Sequence, residues 1–234
     1  LTVLSAASSA IAQPIIHPRV IVSQGPVGDQ VQETCVVAYR PAGAQADLIT
    51  AVWNIARIDD QTGQFANYRI GFGSSSDGGL TWDDRDEQGQ HLMLPNPMAF
   101  PGARQVDPMI TTDPQAGSFW GGGLLQPPQP DRWRGFVGEK LSGNESFEPT
   151  EALVHDGLPC ESDFTHIVSG PPPSGGPGST HLYVTAWMFG ALPCDGKLAF
   201  HSSVDAGLSW SSRTSISIGG LPVYGRSPSA NVDV

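Results

Sequence analysis

Short apolar runs bounded by Gly, Pro or polar clusters recur along the chain, and they recur in the same order. From Glu33 the chain reads ETCVVAYRPAGAQADLITAVWN: a polar pair, an apolar run, a turn through Pro and Gly, and a second apolar run. The same order returns in QVDPMITTDPQAGSFWGGGLL and in ESDFTHIVSGPPPSGGPGSTHLYVTAW, and GRSPSANVDV opens it once more. A third run follows in each complete unit (NYRIGFGS, WRGFVGEKLS, KLAFHSS), and then a fourth (HLMLP, EALVHDGLP, SISIGGLP). These runs are short, rich in β-branched and aromatic residues, and closely punctuated by turn formers, which predicts strands rather than helices. Units beginning near Glu33, Val106, Glu161 and Gly225 repeat at about 55 to 75 residues.

Between the third and fourth runs the chain spells one octapeptide twice, SSDGGLTW at 75–82 and SVDAGLSW at 203–210, with a remnant SGNESF at 142–147. The residue types suit a tight turn. Asp77 or Asp205 accepts backbone N–H bonds as Asx residues do, Gly79 or Gly207 takes a positive φ, and Trp82 or Trp210 folds back as an apolar plug. Ser75 and Ser203 open the motif. Four short antiparallel strands per unit, with one motif at one place, predict an all-β fold: a β-propeller of four-stranded blades. The boundaries are about 31–104, 105–159 and 160–223, with the first strand of a further blade at 224–234. Three blades and a fraction do not close a ring, so residues 31–234 are expected to be part of a longer propeller, cut at both ends. A β-sandwich is the alternative architecture.

The octapeptide resembles the Asp-box of the sialidase-like, or BNR-repeat, β-propellers, and the resemblance covers roughly residues 30–234. It speaks to fold more than to activity, because Asp-boxes also occur in other glycosidases, sorting receptors, assembly factors and binding propellers. The resemblance implies that the boxes face away from the active site. It also implies, for an active sialidase, an arginine triad, a Tyr/Glu nucleophile and an Asp acid/base. Tyr68-Arg69-Ile70-Gly71 is similar to the first arginine motif by letters, but Gly71 stands where the family has Pro, and the segment runs into its own Asp-box. Arg69 is therefore read as a strand residue, and the remaining groups are expected from further blades.

Composition adds a compartment. Residues 1–12, ending Ala10-Ile11-Ala12, read as the remnant of a secretory signal peptide, with 13–30 as a lead-in; a buried N-terminal element is the alternative. The protein is expected to be secreted, periplasmic or extracellular, without a membrane span. In that setting Cys160 and Cys194 are candidates for a disulfide and Cys35 is the odd thiol, although three pairings are open. The formal charge of −11 with no basic cluster argues against nucleic acid as a partner. Six scattered histidines and the three cysteines match no metal-ligand spacing, and no nucleotide motif is present, so neither metal nor cofactor is expected.

Strand counting puts the blade openings and the ends of the second strands on the face opposite the Asp-boxes. Asp107 and Asp163 are the candidate catalytic carboxylates there, because a channel mouth raises a carboxyl pKa by desolvation and like-charge crowding. Glu33, Trp53, Asn54, Glu161, Trp187 and Arg226 are candidate substrate contacts, since sugars stack on rings and bind carboxylates. The bland alternative is that these polar groups only solvate the channel mouth. Two functions follow: an exported sialidase-like glycoside hydrolase acting on a carbohydrate or glycoconjugate, or a non-catalytic propeller binding glycans or proteins at the cell surface.

Overall fold

The computed structural model describes residues 29–58, 61, 65–126, 134–141, 143–144, 146–152, 160–170, 180–190, 197–212 and 214–216. The expected signal remnant, Cys194 and Arg226 lie outside the described residues, and Cys160, Glu161 and Asp163 are described by backbone alone.

Eleven strands form three antiparallel sheets, and no helix occurs among the described residues. The first sheet contains β1 (Asp29–Tyr39), β2 (Leu48–Ile58) and β3 (Phe65–Ser75). The second contains β4 (Arg104–Asp113), β5 (Ser118–Gln126), β6 (Arg134–Leu141) and β7 (Glu148–Ala152), in sequence order. The third contains β8 (Cys160–Gly170), β9 (His181–Gly190), β10 (Lys197–Ser203) and β11 (Thr214–Ile216), again in sequence order.

The first sheet departs from the four-strand expectation. Its fourth segment, HLMLP, is no continuous strand; it meets the sheet through the isolated bridge Gly71↔Met93 and the bonds Phe72 N–Leu92 O and Leu94 N–Ile70 O. Pro95 and Pro97 stop the run, because proline has no N–H for a ladder. A side chain completes the edge instead. Gln105, fully buried, accepts from Ile70 N at 3.0 Å and donates through Nε2 to Leu94 O at 3.0 Å and Asn96 Oδ1 at 2.7 Å.

The cores lie between sheets. Tyr39, Val52, Ile70 and Phe72 of the first sheet pack against Ile110, Phe119, Leu125, Phe136 and Phe147 of the second unit. On the other face of the second sheet, Met109, Trp120 and Val137 pack against Ile167, Leu182 and Val184 of the third. Neighbours in sequence thus serve opposite cores, as the two-residue period of a strand requires. The middle sheet is apolar on both faces, which is why β5 is buried along all but its last residue. The first strands follow one another in space, with β4 packed against β1 on one side and β8 on the other.

Both octapeptides fold as turns held by their own side chains. Asp77 Oδ1 accepts from Ser75 Oγ at 2.8 Å, Leu80 N at 2.9 Å and Thr81 N at 3.0 Å, while Oδ2 accepts from Thr81 Oγ1 at 2.6 Å. The second box repeats this with Ser203 Oγ to Asp205 Oδ1 at 2.8 Å and Ser209 N to the same oxygen at 2.9 Å. Gly79 and Gly207 take φ values of 90° and 81°. Trp210 packs on the core between the second and third sheets, whereas Trp82 packs with Ala51, Trp53, Ile55 and Met93 on the opposite face of the first sheet. Both indoles are half-buried rather than enclosed. Each follows its turn at the end of a sheet, where the cover is incomplete.

Candidate functional site

Each first strand contains one residue too many. In β1 the pairing steps from Gln32↔Asn54 to Thr34↔Trp53, leaving Glu33 as the extra residue. In β4 it steps from Val106↔Leu124 to Met109↔Gly122, so that Asp107 and Pro108 oppose Gly123 alone. In β8 it steps from Asp163↔Trp187 to His166↔Thr185. A bulge of this kind bends the strand and re-aims a side chain. Glu33 and Asp107 are held at φ of 49° and 53°, a left-handed conformation that non-glycine residues seldom adopt.

The bulges are tied across the seams between sheets. Cys35 Sγ of β1 donates to the Pro108 carbonyl at 3.2 Å. Thr165 Oγ1 of β8 donates to the Asp107 carbonyl at 3.2 Å. Burial pushes the Cys35 thiol up from its ordinary value and the Glu33 charge adds to this, which places that carboxylate near the same seam. Cys35 is a free cysteine, half-buried.

Opposite the second bulge only glycine fits. A Cβ on Gly123 would lie 2.5 Å from the Val106 carbonyl oxygen and 2.5 Å from Ile70 Cδ1; one on Gly122 would lie 2.0 Å from the Phe136 carbonyl oxygen. The Gly-rich run of β5 is thus a device for close approach of backbones.

Glu33 is exposed, and its Oε2 accepts from Nδ2 of Asn54, which is itself buried at 4% exposure. Asp107 is half-buried. Trp187 is half-buried and stands opposite Asp163 in the ladder, and Glu161 pairs with Phe189. Three expectations need correction. Trp53 is no open platform: it is 2% exposed, under Trp82 and beside Gly71, where a Cβ would come within 2.8 Å of its Nε1. Trp53-Asn54 and Gly122-Gly123 do not end their strands but lie inside β2 and β5, because the bulges sit well within the ladders. Glu33 and Asp107 likewise stand inside β1 and β4 rather than at their openings.

Arg69 is a strand residue whose Nη2 donates to Leu94 O at 3.2 Å and whose Nε donates to Gln105 Oε1 of the second sheet at 3.5 Å, and burial lowers its pKa. Sequence reasoning missed the positive φ at Glu33 and Asp107. The signal available was the acid one residue before Thr34 and Pro108 at matching places in the repeat.

The bulges lie part-way along the strands, apart from the octapeptide turns at the strand ends. Asn54 lies five residues along β2 from Ile49, the partner of Ser75; at ~3.3 Å per residue this is ~16 Å. Among the described residues no cluster of three or more His, Cys, Asp or Glu could hold a metal ion, and no helix is long and apolar enough to cross a membrane.

The chain matches no protein-family profile and no curated protein sequence. Among solved structures it is similar to a GH93 α-L-arabinofuranosidase of Fusarium graminearum complexed with arabinobiose, at 15% identity and a TM-score of 0.47, over 81% of this chain and 50% of that one. It is also similar to a mutant of the NanB sialidase from Streptococcus pneumoniae, at 8% identity and a TM-score of 0.42, over 81% of this chain and 40% of that one. The chain therefore spans half or less of these two proteins.

Proposed function

We propose that the three sheets are consecutive blades of an Asp-box β-propeller, and that the protein is an exported, glycan-directed glycoside hydrolase whose carboxylates stand on the bulged first strands. The observation that supports this is the pair of acidic residues, Glu33 and Asp107, held at positive φ in equivalent bulges of adjacent sheets. Such a conformation costs about 1–3 kcal/mol and persists only where the surroundings over-determine it, as they do at functional sites.

Cleavage of a glycosidic bond needs one carboxyl group to protonate the leaving oxygen and another to act as base or nucleophile. We assign these roles to Asp107 and Asp163, on the middle and third of three successive first strands. Glu33 oriented by Asn54, together with Glu161, Trp187 and Arg226, would hold the sugar. Export rests on the Ala10-Ile11-Ala12 segment before Gln13.

The test is a screen of aryl glycosides and free glycans with the whole protein, followed by Asp107→Asn and Asp163→Asn. Turnover is expected to fall by about 100-fold or more in each, the scale of general acid–base catalysis. Unaltered turnover in both variants overturns the assignment. Glycan binding without hydrolysis, weakened by Asp107→Asn, would favour the binding propeller instead.

A further inference from the structure

The face of the second sheet that packs on the first carries Phe136, Gly138 and Lys140 at two-residue intervals along β6. The pattern calls for an apolar residue at the last of these, and the chain places an ammonium there. Lys140 is buried at 5% exposure, with Nζ 5.8 Å from the centre of the Phe119 ring, within reach of a cation–π contact. Among the described residues no carboxylate oxygen lies within salt-bridge distance of it.

Lys140 lines a cavity of about 640 Å³ with Phe119, Thr50, Ser74, Phe72 and Asn144. Phe72 and Phe119 belong to the core between these sheets, so the cavity continues that core where its side chains turn polar. It lies at the end of the sheets that carries the first octapeptide turn, away from the bulges. Burial lowers the Lys140 pKa and the charge of Asp83 opposes this only in part. A buried cation whose charge is only partly compensated among the described residues is costly, and a ligand anion in contact with it reduces that cost.

We propose that this cleft binds a small organic carboxylate, whose oxygens pair with the Lys140 ammonium at its inner wall and accept from the Thr50–Ser74 hydroxyl pair, whose mutual bond at 3.2 Å leaves one O–H to donate. A monocarboxylate suits the site better than a dianion, because Asp83, Asp86 and Glu87 also line the cavity. The site is separate from the carboxylates assigned above, and its occupancy does not depend on hydrolysis.

The experiment is calorimetric titration of the whole protein at low salt with propionate, succinate and D-gluconate, each against its neutral amide, with sodium chloride and inorganic phosphate as controls. At least one monocarboxylate is expected to bind 10-fold or more tighter than its amide and than phosphate. Lys140→Met should reduce that affinity 10-fold or more, and Lys140→Arg should retain most of it. The acid–amide comparison on the unmodified protein decides the matter even if Lys140→Met does not fold. Equal binding of acid and amide, no binding of any acid, or a response reproduced by chloride at equal ionic strength overturns the proposal, leaving the ammonium to water and the Phe119 ring.

Discussion

Gln105 Oε1 accepts the backbone N–H of Ile70 at 3.0 Å, across the seam between the second and first sheets. With its bond to Leu94 O, this one amide stands in for the ladder that the first sheet lacks at its edge. Replacing Gln105 with Leu keeps the volume and removes its bonds to Ile70 N, Leu94 O and Asn96 Oδ1; the buried Ile70 N–H is left unpaired, while Leu94 O keeps Arg69 Nη2. A loss of about 1–3 kcal/mol is expected, the scale of one orphaned buried group, read from the urea midpoint of the variant.

The octapeptide turns predict an acid-sensitive stability. Bonds from the Thr81 hydroxyl first, then from Thr81 N, Ser75 and Leu80 N, hold the Asp77 carboxyl at about 2, below its ordinary 3.8; Asp205 is lowered by the same kinds of bond. A carboxyl lowered on folding stabilises fully above its unfolded pKa, and that contribution is lost as pH falls through the folded value. Melting temperature should therefore decline between about pH 4 and pH 2, and Asp77→Asn should flatten part of the decline. A wild-type slope unchanged in that variant would show that other carboxylates govern acid unfolding.

Gly123 should tolerate no side chain. Its Cβ would meet the Val106 carbonyl oxygen at 2.5 Å and the Asp107 carbonyl oxygen at 2.9 Å, both part of a bulged backbone that has little room to move. Gly123→Ala is expected to cost about 1–3 kcal/mol as overpacking. Gly89, beside whose Cβ nothing lies within 4 Å, is the space control. Its φ of 73° still makes alanine there mildly unfavourable, so the comparison is one of degree.

The strained acids predict a trade between stability and function. Glu33→Gly and Asp107→Gly each relieve a positive φ. Asp107→Gly is expected to raise stability, or leave it level, within about 1 kcal/mol, whereas Glu33→Gly also leaves the buried Asn54 Nδ2 without its acceptor, at a cost of about 1–3 kcal/mol. Under the proposed function both lose glycan turnover or binding. A clearly destabilised Asp107→Gly would show that this acid is structural.

The sequence alone determined the strand pattern, the repeat of units and the octapeptide turns, because these depend on contacts between near neighbours. A two-residue period, a glycine at positive φ and an aspartate three and four residues before the N–H groups it accepts are local facts, legible as letters. The sites depend on where distant residues meet. Trp53 looks like a platform in a list of aromatics, yet the absence of a side chain at Gly71 on the neighbouring strand lets it sink into the sheet face. The bulges at Glu33 and Asp107 arise from a register mismatch between strands, and the Lys140 cleft from two sheets that stop matching beyond Phe72 and Phe119. Register and sheet packing join residues tens of positions apart, so only the tertiary structure decided which polar side chains became buried, which became strained, and which came to face one another.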